Sequence, residues 1–190
     1  DLATILQFAE RFETDGGVVS AFVANSRHRR NWAVQTLRRL VLDKNPIKAA
    51  KMACDKHVIK MILESAQMLC SVHPEGTAPY KRSFYNHPCN KWVRASNKNY
   101  DWLVEHGLAL CREYTCRYMK QHKSEKVIDW CDDNRPELPV GLTEHPKCMP
   151  DKYKVDCVVE SYRNYYNGDK AYFAKWKRVD TPSWFTGVFQ

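Results

Sequence analysis

Residues 53–69 have the sequence ACDKHVIKMILESAQML, and the rest of the chain is arranged around them. The apolar residues of this stretch recur at the spacing of an α-helix and predict one buried face. They are Val58, Ile59, Ile62, Leu63, Ala66 and Leu69. The polar residues on the other side, at steps of three and four, are His57, Lys60, Glu64 and Gln67. The stretch therefore predicts an amphipathic helix that packs against a core.

The polar side of this helix has two interpretations. His57 and Glu64 are seven residues apart, so they point the same way, about two turns along one face. An imidazole, the Lys60 ammonium and a carboxylate in one row can form an acid/base site. Alternatively, the row is a solvated face on which a Lys60–Glu64 pair contributes about 0.3 kcal/mol. The pattern alone leaves both interpretations open.

Composition limits the class of protein. The 190 residues suffice for one well-buried core, or for one core with an appended piece. Thirty Lys and Arg against 22 Asp and Glu give a net charge of +8, which favours phosphate-rich partners. No apolar run approaches the ~18 residues of a membrane span. No secretory signal is visible, and eight scattered cysteines favour reduced thiols in a reducing compartment. These features predict a cytoplasmic protein (in the host cytoplasm if the chain is viral).

Helical patterns continue on both sides of the central stretch. Asn45 and Pro46 predict the start of a helix that is broken near Cys54 and Asp55, where Asp55 caps a second segment that continues to Leu69. The later elements are a loop over 73–88, a helical stretch from about 89 to 121, a short helix over 124–131, an irregular loop over 133–151 and a helix over 156–167 that Gly168 ends. The chain therefore predicts a compact all-α, single-domain helical bundle over 41–190, with an N-terminal helical extension over 1–40.

Basic and aromatic residues occur together in two places. Residues 162–178 combine tyrosines and a tryptophan with lysines and arginines, so cations can meet phosphates while rings stack on unpaired bases. The alternative is that these rings belong to the core of a terminal helix. Lys91, Arg94 and Lys98 step by three and four along one side of another predicted helix.

Several cysteine–histidine pairs have spacings that suit zinc, which takes four nitrogen or sulfur ligands in structural sites. They are Cys54/His57, Cys70/His73, His87/Cys89 and His145/Cys148. The best combination is Cys70/His73 with His87/Cys89, since these two pairs flank one loop. No pair is Cys-x2-Cys, and no glycine-rich phosphate loop is present. The sequence therefore favours neither a bound metal nor a cofactor.

The spacing of Asp55, His57 and Glu64 resembles the first helix of the endonuclease V type of pyrimidine-dimer DNA glycosylases found in phages. In that family an Asp-x-His is followed seven residues later by the catalytic glutamate. The Asn-His-Pro turn at 86–88 and the Asn-Tyr-Asp-Trp-Leu run at 99–103 look like a further segment of the family. Residues 162–176 are similar to its C-terminal aromatic stretch. The resemblance covers about residues 41–178, in patches.

This resemblance implies a compact all-α fold and the removal of a damaged pyrimidine, followed by strand cleavage through a Schiff base. Glu64 would be the acid/base residue, His57 would help to place the DNA, and a nucleotide would be flipped out of the stack. The family uses the α-amino group of its first residue as the nucleophile. About forty residues precede Leu42 here, so Lys60 is the candidate amine instead.

The predicted function is that of a DNA glycosylase and AP lyase acting on damaged pyrimidines, with DNA as the partner. The predicted catalytic residues are Glu64, His57 and Lys60. The predicted DNA contacts are Lys56, Lys81, Arg82, His87, Lys91, Arg94, Lys98, Tyr162, Tyr165, Tyr166, Lys170 and Trp176. The alternatives are a non-enzymatic nucleic-acid-binding accessory protein of a phage and a zinc-stabilised interaction module. The sequence does not indicate an oligomeric state.

Overall fold

A computed structural model describes residues 40–188 of the chain. This part contains six α-helices and no β-strand, which confirms the predicted all-α class. The helices are α1 (Pro46–Met52), α2 (Asp55–Cys70), α3 (Pro88–Ala95), α4 (Asn97–Tyr118), α5 (Glu125–Asp133) and α6 (Val158–Tyr165). The predicted extension over 1–40 lies, apart from Leu40, outside the described residues. No helix between residues 40 and 188 combines the length and apolarity that crossing a bilayer requires.

Helix α2 lies at the centre of the fold, in contact with α3, α4 and α5. The predicted apolar face is the buried one: Val58, Ile62, Ala66 and Leu69 are fully enclosed, and Leu63 is partly buried. Helix α4 is the longest element and packs against both α1 and α2. Gly107 on α4 allows the close approach of α5, because a Cβ there would lie 2.9 Å from the Ile128 side chain of α5.

The junction between α1 and α2 forms as predicted, with one correction. The Asn45 side chain accepts a hydrogen bond from the Lys48 amide at 2.9 Å, and Pro46 is the first helical residue. The chain breaks before α2, but Asp55 does not cap it: the capping position is Cys54, and Asp55 begins the helix. The Asp55 carboxylate binds Arg117 instead, and it also accepts the Lys177 amide.

The helical stretch predicted from 89 to 121 is in fact two helices. Helix α3 ends at Ala95, and Ser96 adopts an extended conformation. The Ser96 hydroxyl accepts the Asn99 amide at 3.3 Å and so caps α4. This capping is the physical reason for the break, because serine in this conformation starts a new helix more readily than it continues one. The spacing had predicted that Lys91, Arg94 and Lys98 lie on one helix. That prediction is wrong, because Lys91 and Arg94 lie on α3 and Lys98 lies on α4.

The irregular loop over 133–151 is anchored to α3 and α4. The side-chain nitrogen of Asn99 donates to the Trp92 carbonyl and to the Thr143 hydroxyl. The side-chain oxygen of Asn99 accepts a hydrogen bond from the Thr143 backbone amide. The Trp92 indole donates to the Thr143 carbonyl at 3.1 Å. Further along, the Tyr162 hydroxyl of α6 donates to the Pro146 carbonyl at 2.8 Å. These bonds hold the loop against the start of α3 and bring Cys148 to that place.

After α6 the chain makes a π-helical turn over Tyr166–Lys170 and a 3₁₀ turn over Ala171–Phe173. The sequence had predicted that Gly168 ends the preceding helix. Instead α6 ends at Tyr165, and Gly168 lies inside the π-helical turn. A Cβ at this glycine would lie 2.3 Å from the Tyr153 hydroxyl. The glycine is therefore required by the close approach of a tyrosine ring. The following segment crosses back to α2, where the Lys175 carbonyl accepts the Asp55 amide at 2.9 Å.

Candidate active site

The polar side of α2 is largely buried. The Glu64 side chain is 2% exposed, and His57 is also buried, whereas the Lys60 side chain is 40% exposed. Lys60 Nζ lies 3.3 Å from Glu64 Oε1. The three predicted catalytic residues therefore occupy one face of one helix, as their spacing implies, and this face is not a solvated charge stripe. Only the Lys60 amine reaches solvent to a substantial degree.

Glu64 is a buried ionisable group with few hydrogen-bonding partners. Neither carboxyl oxygen has a hydrogen-bond partner among the described residues, although the Lys60 ammonium is close. Burial raises the pKa of Glu64 to about 8, against the opposing attraction of Lys60, and the nearby Cys89 thiol adds to the rise. The carboxyl group is therefore mostly protonated at neutral pH, and it can donate a proton there.

His57 is held as a neutral imidazole. Burial lowers its pKa well below the ordinary value, and the positive charges of Lys60, Lys170 and Lys56 lower it further. Its Nδ1 lies 2.6 Å from the Tyr166 hydroxyl, which also accepts the Cys54 amide at 3.0 Å. Burial raises the pKa of Tyr166 well above its usual value, so the hydroxyl keeps its hydrogen. The tautomer of His57 decides which of the two groups donates in the bond between them.

A basic and aromatic surface adjoins His57. The Phe173 ring lies edge-on to the imidazole, with 5.2 Å between ring centroids. The Lys56 ammonium lies 5.3 Å from the centre of the Phe173 ring, and Lys170 lies 5.9 Å from it. Tyr172 packs its ring edge against Phe173 and is otherwise 85% exposed. We call Lys56, Lys170, Tyr172 and Phe173 the C-terminal basic–aromatic cluster.

Three of the tyrosines predicted to contact DNA are core residues. Tyr162, Tyr165 and Tyr166 are at most 1% exposed, so none presents a ring face to a base. These three rings therefore belong to the core, which is the alternative that the sequence had left open. They fill space under α6 and the turn that follows it. Trp176 is partly buried, and its indole donates to the Met52 carbonyl at 3.1 Å. It fastens the C-terminal segment over the end of α1.

A second basic region surrounds Tyr85 in the loop before α3. The guanidinium of Arg94 lies 3.6 Å from the centre of the Tyr85 ring, and that of Arg82 lies 4.4 Å from it. Arg94 also donates to the Tyr85 carbonyl at 2.8 Å. Lys81 and Lys91 are exposed, while Lys98 lies 3.7 Å from the Asp101 carboxylate. The region offers cations and a partly exposed ring, but its two arginines are fixed by Tyr85.

The cysteine–histidine pairs combine differently from the prediction. Cys70 Sγ lies 3.8 Å from Cys131 Sγ, and His73 Nε2 lies 3.0 Å from the Tyr100 hydroxyl. Neither joins His87 and Cys89, whose ligand atoms instead lie within 4.8 Å of Cys148. The fold therefore does not bring together Cys70, His73, His87 and Cys89, the best zinc combination in the sequence. All eight cysteines lie within the described residues, and no disulfide links any of them.

Sequence reasoning missed two residues of the site. Tyr172 and Phe173 belong to the basic and aromatic run over 162–178, but the sequence did not show which rings of that run face outward. The signal that could have found them is Gly168. A turn at this glycine ends the regular helical spacing, so the rings after it need not follow the buried face of α6.

The fold and site together define an all-α, basic protein whose central helix carries a buried carboxyl group beside a partly exposed lysine. A family model described as pyrimidine dimer DNA glycosylase matches residues 37–126, slightly less than half of the chain. The matched part includes His57, Lys60 and Glu64, and it contains only Lys56 of the C-terminal basic–aromatic cluster. No curated protein matches the chain, and no solved structure does.

Proposed function

We propose that the chain is a DNA glycosylase and AP lyase that acts on damaged pyrimidines. The observation that carries the proposal is the state of Glu64, a buried carboxyl group without a hydrogen-bond donor and with a lysine amine 3.3 Å away. A group of this kind costs stability, and such costs concentrate at functional sites. The family match over residues 37–126 supports the same chemistry.

Lys60 is the proposed nucleophile. The Lys60 ammonium first gives up a proton to solvent, and the amine then attacks C1′ of the damaged nucleotide while the bond from C1′ to the base breaks. The protonated Glu64 gives its proton to the departing base, and the resulting carboxylate then takes a proton from the new secondary ammonium. Glu64 passes this proton to O4′ as the sugar ring opens, which leaves a protonated imine between Lys60 and C1′. The Glu64 carboxylate then removes a proton from C2′, and the bond from C3′ to the oxygen of the 3′ phosphate breaks, so that the phosphate leaves with the electron pair.

The DNA contacts are proposed to lie on both sides of this pair. Lys56 and Lys170 have exposed or partly exposed ammonium groups next to His57, and they can meet phosphates of the flipped nucleotide. Lys81 and Lys91 supply further exposed charge near α3, with Arg82, Arg94 and His87 beside them. A reducing compartment such as the cytoplasm is proposed from the spacing of the eight cysteines, which are scattered singly along the chain.

The imine can be trapped. Borohydride reduces it to a stable amine, so the wild-type protein incubated with an oligonucleotide that contains an abasic site is expected to give a covalent protein–DNA band. Lys60→Arg keeps the positive charge but removes the nucleophile, and we expect it to reduce the trapped fraction by about 100-fold or more. The band is measured on a denaturing gel.

Lys48→Arg is the matched control, because Lys48 is an exposed lysine on α1 outside the site, and it should trap like the wild type. Two results would contradict the proposal in different ways. If the wild type binds the DNA but forms no adduct with an abasic site or a pyrimidine dimer, the protein is a DNA-binding protein without lyase activity. If Lys60→Arg traps normally, another amine is the nucleophile.

Tyr172 is proposed to stack on an unpaired base, because its ring is 85% exposed at the edge of the basic cluster. A stacked base contributes about 1–3 kcal/mol. Tyr172→Ala is therefore expected to weaken binding to single-stranded or lesion-containing DNA by about 5–150-fold, and Tyr172→Trp to preserve it. Fluorescence anisotropy at one fixed salt concentration measures this.

Leu142→Ala removes a comparably exposed apolar side chain from the distant part of the irregular loop and should not change the affinity. Equal affinities for Tyr172→Ala and the wild type would show that the Tyr172 ring does not contact the DNA.

A further inference from the structure

We propose that His87, Cys89 and Cys148 form a binding site for one zinc-class divalent cation. The three residues come from two separate parts of the chain, the start of α3 and the irregular loop that is anchored above it. One ligand atom from each lies within 4.8 Å of the other two. None of the three ligands is Lys60 or Glu64, although the Cys89 thiol is near Glu64, and the proposal does not depend on the function proposed above.

The spacing of the two sulfur atoms suits a tetrahedral metal. Cys89 Sγ and Cys148 Sγ are 3.6 Å apart. Two thiolates that each bind zinc at about 2.3 Å in tetrahedral geometry are separated by about 3.8 Å. The sulfur atoms therefore need to move by only about 0.2 Å, while the imidazole has to approach by about 1 Å to reach a zinc–nitrogen bond length. Rotation of the partly exposed His87 ring supplies a movement of that size.

The two sulfur ligands differ in exposure: Cys89, the second residue of the eight-residue helix α3, is buried, and Cys148 is partly exposed. Cation binding displaces the protons of both thiols, so two protons are released for each ion bound. His87 and Cys148 are partly exposed, which gives the ion a route in and leaves the fourth position to water.

His87 caps α3 in this structure, and metal binding would end that role. Its Nδ1 accepts the Cys89 amide at 3.2 Å and so caps α3. A metal-bound imidazole cannot keep this bond. Either Nδ1 binds the ion directly, or Nε2 binds it and Nδ1 carries the ring proton. Asparagine caps a helix but replaces the imidazole, so His87→Asn separates the ligand role from the capping role.

The Cys70–Cys131 pair provides a comparison within the same protein. Its sulfur atoms are 3.8 Å apart, nearly the same distance, and both residues are buried. No histidine or carboxylate joins this pair to make a third ligand among residues 40–188. If closely spaced thiols alone were enough to bind an ion, both pairs would bind one. The proposal instead assigns binding to the pair that has His87 beside it.

The test is a titration of the reduced full-length chain with Co²⁺, after treatment with a chelator and a phosphine reductant. We expect one equivalent to bind and to produce the charge-transfer absorption of cobalt–thiolate bonds, and Zn²⁺ to displace it. Cys148→Ser and His87→Asn are expected to weaken binding by about 100-fold or more, since even the loss of a supporting group costs 10–100-fold. Cys70→Ser should bind like the wild type.

Three results would overturn the proposal. They are the lack of a charge-transfer band in the wild type, loss of the band in Cys70→Ser but not in Cys148→Ser, and a disulfide between Cys89 and Cys148 in protein kept under reductant. Circular dichroism checks that each variant is folded. If Cys148→Ser does not fold, His87→Asn decides the outcome, because it changes a partly exposed residue and keeps the helix cap.

Discussion

Replacing Glu64 by Gln is expected to lower cleavage of lesion-containing DNA by about 10²–10⁴-fold while DNA affinity changes little. Glutamine has nearly the same shape and no charge, so it resembles the protonated carboxyl that burial favours in the folded protein. It cannot give up or accept a proton, and the proposed reaction needs both steps. The measurements are single-turnover cleavage on a gel and fluorescence anisotropy for binding.

Glu105→Gln is the control for this substitution, because Glu105 is exposed on α4 and lies outside the site. It should cleave at the wild-type rate. Cleavage by Glu64→Gln at that same rate would exclude Glu64 from the chemistry. Loss of binding together with cleavage would instead mean that the carboxyl group supports the structure of the DNA site.

The same variant has a second readout in the pH dependence of stability. The pKa of Glu64 is about 8 in the folded protein against an ordinary value of 4.5, so the folded state holds this proton more tightly than the unfolded state. Its contribution is therefore complete below pH 4.5 and is lost as the pH rises through 8, by a few kcal/mol at most. Between pH 5 and pH 9, the free energy of unfolding of Glu64→Gln should therefore rise relative to that of the wild type.

Urea denaturation in the presence of a chelator measures this difference without a contribution from any metal near Cys89. Parallel stability curves for the two proteins would show that Glu64 titrates normally and that its proton is not available near neutral pH.

The sequence predicted the class of fold and the central helix, because these depend on periodic burial that a single chain displays. The apolar side of α2 and the start of α1 at Asn45 and Pro46 appear where their spacing placed them. The row of His57, Lys60 and Glu64 is also on one face. What the sequence could not decide is whether that row faces water, because the covering residues come from chain segments about a hundred residues away, such as Tyr166 and Phe173.

The error at Ser96 has a local cause, and the other two errors come from contacts between distant parts of the chain. The break at Ser96 depends on one hydroxyl bonding a backbone amide three residues on, which competes locally with a continuous helix. The best zinc combination in the sequence paired ligands that are close along the chain, whereas Cys148 reaches Cys89 only because Asn99 and Trp92 anchor the loop. Tyr162, Tyr165 and Tyr166 are buried because α6 packs all three rings inward.

Arg117 is a structural residue that no local pattern identified. Its side chain has no exposed surface, and it lies on α4 beneath the junction of α1 and α2. The guanidinium donates to the carbonyls of Lys51 and Ala53 and pairs with the carboxylates of Asp55 and Glu113. The junction directly precedes His57, so this one cation supports the start of the helix that bears the site.

Loss of that cation is expected to destabilise the protein strongly. Arg117→Met removes it and leaves two partly buried carboxylates and two carbonyls without their donor, which typically costs about 3–5 kcal/mol. The midpoint of thermal unfolding should fall by about 10 °C for a chain of this size. Because Asp55 also accepts the Lys177 amide, residues 171–188 should become more sensitive to limited proteolysis before global unfolding.

Arg112→Met removes an exposed arginine from the same helix, and its effect should stay within about 0.5 kcal/mol. A double variant with Asp55→Asn should recover part of the lost stability, because it removes one of the two carboxylates that Arg117→Met leaves unpaired. Equal unfolding midpoints for Arg117→Met and Arg112→Met would mean that the buried pairs only offset their own desolvation. The support of α2 would then come from apolar packing alone.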